Sequence, residues 1–348
     1  MIRAAIVGMG WWGKTLVEAA ADSTRIRFVA GATRARTPEL ETFADTHRLR
    51  LLDGFDAALT DPQIDAIVLS TPHSTHAQQV IAAAAAGKHV FCEKPFTLTK
   101  VDAERAVRAV RDAGVTLGLG YNRRFHPEMT RLRQQIHSGE LGTILHVEAT
   151  MSVPNGLLLK PDAWRADRDE TPCGGLTPLG VHAIDGMIDL CGPIAEVYCQ
   201  SFRRAVAVDT DDTTSVLFRM RAGMSGYLGT MMATGPGFSF QVYGSKGWVR
   251  LEGMTHVAGA SSEERRTRLF GTCKFQPVKG EAQIWQAATL DIVKTSLEAF
   301  ADAAEGGGPF PIPLEEMIHG AAVTDAVVRS AQGHAVVQVE SAVGAVAV

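Results

Sequence analysis

The chain has 348 residues, 46% hydrophobic and 21% charged; that balance allows a sizeable core and excludes a disordered tail. A formal charge of −4 argues against a nucleic-acid partner, since a protein gripping a phosphate backbone presents a strongly basic face. No apolar run reaches the roughly 18 residues needed to cross a bilayer, so no membrane partner is expected; nor is a secretory leader expected, since the six-residue apolar start runs straight into glycines.

The first predicted elements carry the most information. An apolar strand, Ala4 to Val7, runs into Gly8-Met9-Gly10-Trp11-Trp12-Gly13, and a helical stretch follows from Lys14 to Ala21. This is the G-x-G-x-x-G spacing in its strand–turn–helix setting. Gly8 permits the tight turn, Gly10 lets a pyrophosphate approach bare backbone, and Gly13 lets helix and strand pack closely, with the helix N-terminus facing the phosphates. A dinucleotide site is expected there.

Apolar segments then recur at Arg27–Ala32, Ala66–Ser70, His89–Cys92 and Val115–Gly120, separated by helical stretches Pro38–His47, Ser74–Ala86 and Val101–Ala113. Gly87 suits a helix C-terminus and Thr99 an N-cap. The alternation predicts an α/β, doubly wound parallel sheet over residues 1–122, with ligands at the carboxyl ends of its strands. After Tyr121-Asn122-Arg123-Arg124 the rhythm changes: a helix over Pro127–Ser138, a strand over Ile144–Val153, an irregular loop, and a helix over about Gly175–Leu190. Strands with glycine turns follow between Glu196 and Leu251, including Ser215–Arg221, Met224–Met231 and Phe238–Tyr243. Glu305–Pro313 reads as a loop before a last helix at about 314–331. Residues 123–348 are therefore expected to form an α+β domain with an open, mostly antiparallel sheet.

Glu93-Lys94-Pro95 closes the His89–Cys92 strand, at the edge where the coenzyme is expected. A partly desolvated lysine beside an oxidised nicotinamide should lose proton affinity, which suits exchange with a substrate hydroxyl. The second strand ends in Thr33-Arg34-Ala35-Arg36, with no carboxylate to receive the adenosine ribose hydroxyls. Thr33 and Arg34, with Arg36 near, suit a 2′-phosphate, so NADP is favoured over NAD. His73 and His76 form H-x-x-H without a third ligand at useful spacing, so no metal is expected. Five scattered cysteines without C-x-x-C read as free thiols in a reducing, cytoplasmic setting.

With these residues in place, the chain resembles the glucose–fructose oxidoreductase / inositol dehydrogenase / rhizopine-catabolism (Gfo/Idh/MocA) family of NAD(P)-dependent oxidoreductases. The resemblance runs through Gly8 to Gly13, Ser70-Thr71-Pro72-His73-Ser74-Thr75-His76, Glu93-Lys94-Pro95 and Tyr121-Asn122-Arg123-Arg124-Phe125. It continues through Gly174-Gly175, Gly180-Val181-His182-Ala183-Ile184-Asp185, Asp211-Asp212-Thr213 and Tyr243-Gly244-Ser245-Lys246-Gly247. It implies an N-terminal Rossmann domain, a second domain with an open sheet, and homodimers or homotetramers. Lys94 is implied as a proton relay beside the hydride path and His182 as the histidine that meets the substrate hydroxyl. The implied coenzyme contacts are Gly8, Gly10, Trp11, Trp12, Gly13, Thr33, Arg34, Ser70, Thr71, Pro72, His76, Glu93, Lys94 and Asn122. The substrate side takes in Arg124, Trp164, Arg165, Asp169 and His182; Trp164 offers a stacking surface, and Arg165 or Arg168 a partner for a carboxylate. Lys246 reads as structural.

One departure stands out. Sugar and cyclitol dehydrogenases of the family often carry an aspartate four residues before the histidine, where this chain has Pro178. Proline offers no acceptor, so Lys94 and His182 must share the proton work, or an acid such as Asp167, Asp169 or Glu170 substitutes. The expected reaction is hydride transfer between nicotinamide C4 and a secondary alcohol or ketone of a small-molecule sugar, cyclitol or related polyol. The alternatives are an aryl or cyclic diol dehydrogenase, a glycosidase-like oxidation–elimination enzyme with tightly held NAD, and a non-catalytic NAD(P) sensor. Net formation of reduced nicotinamide separates the dehydrogenases from the other two.

Overall fold

In the computed structural model, which describes residues 1–34, 36–254 and 261–340, the apolar segments of the N-terminal part pair side by side as parallel strands. The elements are β1 (Ile2–Val7), α1 (Trp11–Ala19), β2 (Ile26–Ala32), α2 (Pro38–Thr46), β3 (Arg50–Leu52), α3 (Phe55–Thr60), β4 (Ala66–Leu69), α4 (His76–Ala85), β5 (His89–Cys92), α5 (Lys100–Ala113) and β6 (Leu117–Leu119). Sheet order is β3-β2-β1-β4-β5-β6, the doubly wound order that reverses between β1 and β4. Every residue of β4 is 0% exposed, as expected of a parallel strand covered on both faces. Thr99 caps α5 by accepting from the Asp102 N–H at 3.2 Å, and Gly114 ends that helix at φ 64°.

β3 and α3 have no counterpart among the predicted segments. Three and six residues long, they are too short for a periodic pattern to emerge. The helix expected over Ser74–Ala86 begins instead as a 3-10 turn at His73–Thr75 and becomes α-helical at His76.

The second compact unit contains α6 (Pro127–His137), β7 (Ile144–Ser152), α7 (Gly180–Cys191), β8 (Ile194–Phe202), β9 (Thr213–Met220), β10 (Ser225–Met231), β11 (Gly237–Gly244), β12 (Gly247–Gly253), α8 (Ser262–Thr267), β13 (Phe270–Pro277) and β14 (Gln283–Gln286). After α9 (Ile292–Ala304), helix α10 (Leu314–Gly333) leads to β15 (Val337–Gln338). The sheet has nine strands in the order β14-β13-β12-β11-β7-β10-β9-β8-β15. Only the β7–β10 pair is parallel among the described pairings. The sheet therefore extends beyond Leu251, through β13 and β14. Helix α7 starts at Gly180 rather than Gly175, because Pro178 carries no N–H for the helical ladder.

A cut at 122/123 does not describe the units fully: residues Asp291–Ile318 belong with the first one. The reason is packing. Phe300 of α9 is 0% exposed and meets Phe91 of β5 edge-on at 5.6 Å between ring centres. Gly118 makes room for it, since a Cβ there would sit 2.8 Å from the Phe300 ring.

Candidate functional site

The β1–α1 turn shows why three glycines are needed and why they differ. At φ 91°, Gly8 occupies a conformation that side chains disfavour, and a Cβ there would overlap the Ser70 carbonyl. A Cβ on Gly13 would overlap the Gly8 carbonyl, whereas one on Gly10 would meet nothing within 4 Å. Gly8 and Gly13 are thus required by the fold, and Gly10 leaves a gap in front of the α1 N-terminus. No side chain caps that terminus and its first turn holds no acid, so backbone N–H groups and the positive end of the helix dipole face the gap. These features fit the pyrophosphate of a dinucleotide. Trp11 is half exposed on the first turn.

Four further elements converge on this edge of the parallel sheet. The Ser70 N–H donates to the Val7 carbonyl at 2.8 Å, and the Gly8 N–H to Ala32 at 2.9 Å. Thr71 Oγ1 donates to Gln79 at 2.6 Å, and Thr75 Oγ1 to the Pro72 carbonyl at 2.7 Å. His76 is fully buried, with Nδ1 2.8 Å from the Pro95 carbonyl and Nε2 3.1 Å from the Thr71 carbonyl. It ties the Glu93-Lys94-Pro95 turn to the loop after β4. His73 stands edge-on to His76 at 5.9 Å, and no cluster of three or more metal-ligating side chains occurs among the described residues.

Glu93 is 5% exposed. Its carboxylate lies 2.6 Å from where a Gly120 Cβ would stand, so glycine is needed on β6's far side to admit it. Burial pushes the Glu93 carboxyl above its ordinary range, opposed by the charge of Lys94 and the Trp12 indole N–H. The Lys94 N–H donates to Glu93 Oε2 at 3.2 Å, Lys94 itself is half-buried, and the Lys94–Pro95 bond is cis. Thr33 is half-buried and Arg34 exposed; Arg34 makes no hydrogen bond or ion pair among the described residues. Arg36 is committed elsewhere, donating to Asp53 at 2.6 Å. Asn122, 7% exposed, has no hydrogen-bond partner among the described residues.

In the second unit His182 lies in the first turn of α7, 8% exposed, with its N–H on the Leu179 carbonyl at 3.1 Å. One turn on, Asp185 binds the Arg124 guanidinium through Nε at 2.9 Å and Nη2 at 2.7 Å. Asp189 takes Arg124 Nη1 at 3.4 Å and Arg133 Nη2 at 2.5 Å. Arg124, expected on the substrate side, is thus paired with two carboxylates of α7, the helix that carries His182. Trp164 and Arg165 stack, with the guanidinium 4.1 Å from the indole centre. Arg168 pairs with Asp209 and Asp211, leaving Arg165 as the loop's uncommitted guanidinium among the described residues. Asp169 is exposed and donates its N–H to Asp167 Oδ1 at 2.9 Å. Asp212 accepts three backbone N–H bonds, from Arg204, Ala205 and Val206, at 2.6–2.9 Å, so it organises a loop. Lys246 Nζ donates to the Gly139 carbonyl at 3.0 Å, a structural contact.

Sequence reasoning passed over Arg123 as a site residue. Adjacent Arg-Arg offers no local signal of which guanidinium is paired; the pairing of Arg124 spans 61 residues.

A parallel sheet with a glycine cradle at its switch point, in a chain whose second unit carries a helix-borne histidine, defines a nucleotide-binding architecture. Residues 2–121 match the model of an oxidoreductase family with an NAD-binding Rossmann fold, and residues 129–250 match the GFO/IDH/MocA C-terminal domain. The chain is 31% identical over 255 residues to an inositol 2-dehydrogenase of Rhodococcus erythropolis, covering 66% of this chain and 71% of that one. It is 28% identical over 333 residues to the rhizopine catabolism protein MocA of Rhizobium meliloti, covering 93% and 90%. A solved oxidoreductase structure from Desulfitobacterium hafniense superposes with a TM-score of 0.88 at 25% identity, covering 97% of each chain. The chain belongs to the GFO/IDH/MocA oxidoreductase family and is an NAD(P)-binding enzyme of the dehydrogenase/reductase type.

Proposed function

We propose that the protein is an NAD(P)-dependent dehydrogenase or reductase of a sugar, cyclitol or related polyol. The observation that carries this reading is the glycine cradle of the first unit together with Glu93-Lys94 on the adjoining strand end, in a chain whose relatives include inositol 2-dehydrogenases. The bound coenzyme supplies C4 of nicotinamide as hydride donor or acceptor. Gly10 and the α1 N-terminus bind its phosphates; Lys94 exchanges the hydroxyl proton, with Glu93 balancing its charge. His182 is the second proton-handling side chain, oriented by the helix that Arg124 and Asp185 anchor. Pro178 leaves the histidine without the acid one turn before it, so Lys94 bears the larger share of proton transfer.

We favour NADP over NAD, because Arg34, exposed and without an ion pair among the described residues, suits a 2′-phosphate and no carboxylate follows Ala32 at Thr33 or Arg34. The five buried free thiols accord with a cytoplasmic location. The nine-stranded sheet carries the 56%-exposed Leu217 and partly exposed Tyr198, Tyr227, Tyr243 and Trp248, a face suited to a second copy of the chain. Light scattering on the full chain should give a dimer or tetramer; a strict monomer removes this assignment.

The deciding experiment is a panel of polyols, aldoses and aryl or cyclic diols with NAD+ and NADP+, read by reduced-nicotinamide absorbance. Lys94→Met should lower kcat by at least about a hundredfold, the usual worth of a positioned acid–base group, while coenzyme Kd stays within a few-fold. Full activity in that variant removes Lys94 from proton transfer. Activity without net coenzyme reduction moves the protein to the oxidation–elimination class.

A further inference from the structure

A buried guanidinium needs an opposite charge or a set of acceptors. Arg123 has neither among the described residues. It is 7% exposed; its Nη1 lies 3.6 Å from Met151 Sδ, and its guanidinium carbon is 4.5 Å from the Phe238 ring centre. A thioether is a weak acceptor, and a ring face offsets only part of the lost hydration. Burial draws its pKa down to about 9, so the group is still charged at neutral pH. Arg124 beside it has two carboxylates. Arg165 also lacks an ion pair among the described residues, but it is half-buried and water can serve it.

The register shows where this charge stands. Phe238 on β11 lies opposite Met151 on β7, Met151 opposite Thr230 on β10, and Thr230 opposite Thr214 on β9. Side chains paired in this way share one face of a sheet. Gly180, the first residue of α7, approaches the same row: a Cβ on it would lie 3.1 Å from Thr230 Cγ2. Strands are about 4.8 Å apart, so the contacts of Arg123 and the helix turn bearing His182 are one or two strands apart. The hydroxyl of Thr230, on the strand next to Met151, is 1% exposed and has no hydrogen-bond partner among the described residues. Among the described residues, an unpaired cation thus rests against this row and an unpaired hydroxyl lies in it, next to Gly180 of α7.

We infer that Arg123, with Thr230 one strand away from its Met151 contact, receives a carboxylate of the substrate, so that the preferred substrate is an acidic polyol or sugar acid. This rests on the polyol-dehydrogenase reading above. One guanidinium with apolar neighbours, Met151 and Phe238, balances a single negative charge and matches a planar carboxylate through two parallel bonds; a phosphate dianion calls for further cations.

The test measures binding of paired probes to the full chain by calorimetry: glycerate against glycerol and gluconate against glucitol, with and without reduced coenzyme. In the wild type the carboxylate of a pair should bind at least about tenfold tighter, the typical worth of a charge-assisted hydrogen bond. Arg123→Gln should bring that ratio to about one. Arg123→Lys, which keeps the charge without the fork, should cut it several-fold, and it decides the matter if the neutral variant does not fold. No carboxylate preference in the wild type, or a preference undiminished in the variants, overturns the assignment. An Arg123-dependent preference in a protein that never turns over coenzyme keeps this subsite and removes the dehydrogenase reading. Turnover of neutral polyols with no carboxylate preference does the reverse.

Discussion

The two units build their candidate sites from different materials. In the first, the working surface is backbone: glycines, a helix N-terminus and strand ends, with side chains such as His76 serving as braces. In the second it is charge in a dry interior: Arg124 and Arg133 on Asp185 and Asp189, with Arg123 left over. A backbone site is specified by a few consecutive residues, so it survives much change elsewhere and is vulnerable only where an atom would be added. A site of buried charges depends on partners far apart in the chain, and losing one partner strands the other.

Substitutions can break this contrast. The largest effect is expected from Arg124→Met, which leaves Asp185 buried without its cation and should cost about 3–5 kcal/mol. Urea titration followed by tryptophan fluorescence measures it, and an unchanged midpoint would show that the α7 network contributes nothing. Next comes the pair Gly8→Ala and Gly10→Ala. The former adds a Cβ onto the Ser70 carbonyl at a strained φ and should cost at least about 2–3 kcal/mol. The latter should leave the melting temperature nearly unchanged while weakening coenzyme binding about tenfold or more; equal effects on stability would erase the distinction between fold-required and ligand-required glycines.

A further effect appears only in acid. His319 is 7% exposed and accepts the Ile194 N–H through Nε2 at 3.0 Å. Burial, followed by the charge of Arg221, lowers its pKa to about 4. The unfolded chain binds this proton near pH 6.5, the folded one only near 4. Stability contributed by the neutral ring is therefore complete above pH 6.5 and is lost as pH falls toward 4. His319→Gln should remove up to about 2–3 kcal/mol of that acid sensitivity, seen as a flatter dependence of the urea midpoint on pH between 6.5 and 4.5. An unaltered slope would mean that the ring is not held neutral in the fold.

How much was legible follows from the same contrast. The strand–Gly8–Gly10–Gly13–helix sequence announces itself because its physics is local: a turn, a close approach and a helix start lie within a few residues. The Thr99 cap and the β5 limits, His89 to Cys92, were readable for the same reason. The roles of Arg123 and Arg124 were not. They are chemically identical neighbours, and only the fold, by bringing Asp185 to one of them, tells them apart. Likewise the sequence does not show that carbonyls from two different loops lie within hydrogen-bond distance of the His76 ring nitrogens. The strands β13 and β14 escaped because Phe270–Pro277 and Gln283–Gln286 mix polar and apolar residues without clear alternation.

The return of residues 291–318 to the first unit has a practical consequence for anyone dissecting the molecule. A fragment severed after residue 122 would keep the complete six-stranded sheet but lose the α9 wedge, leaving Phe91 bare beside the gap at Gly118. Such a piece should be sticky and poorly soluble even with its coenzyme cradle intact. Joining residues 291–318 back to it through a short artificial linker would restore the missing wall.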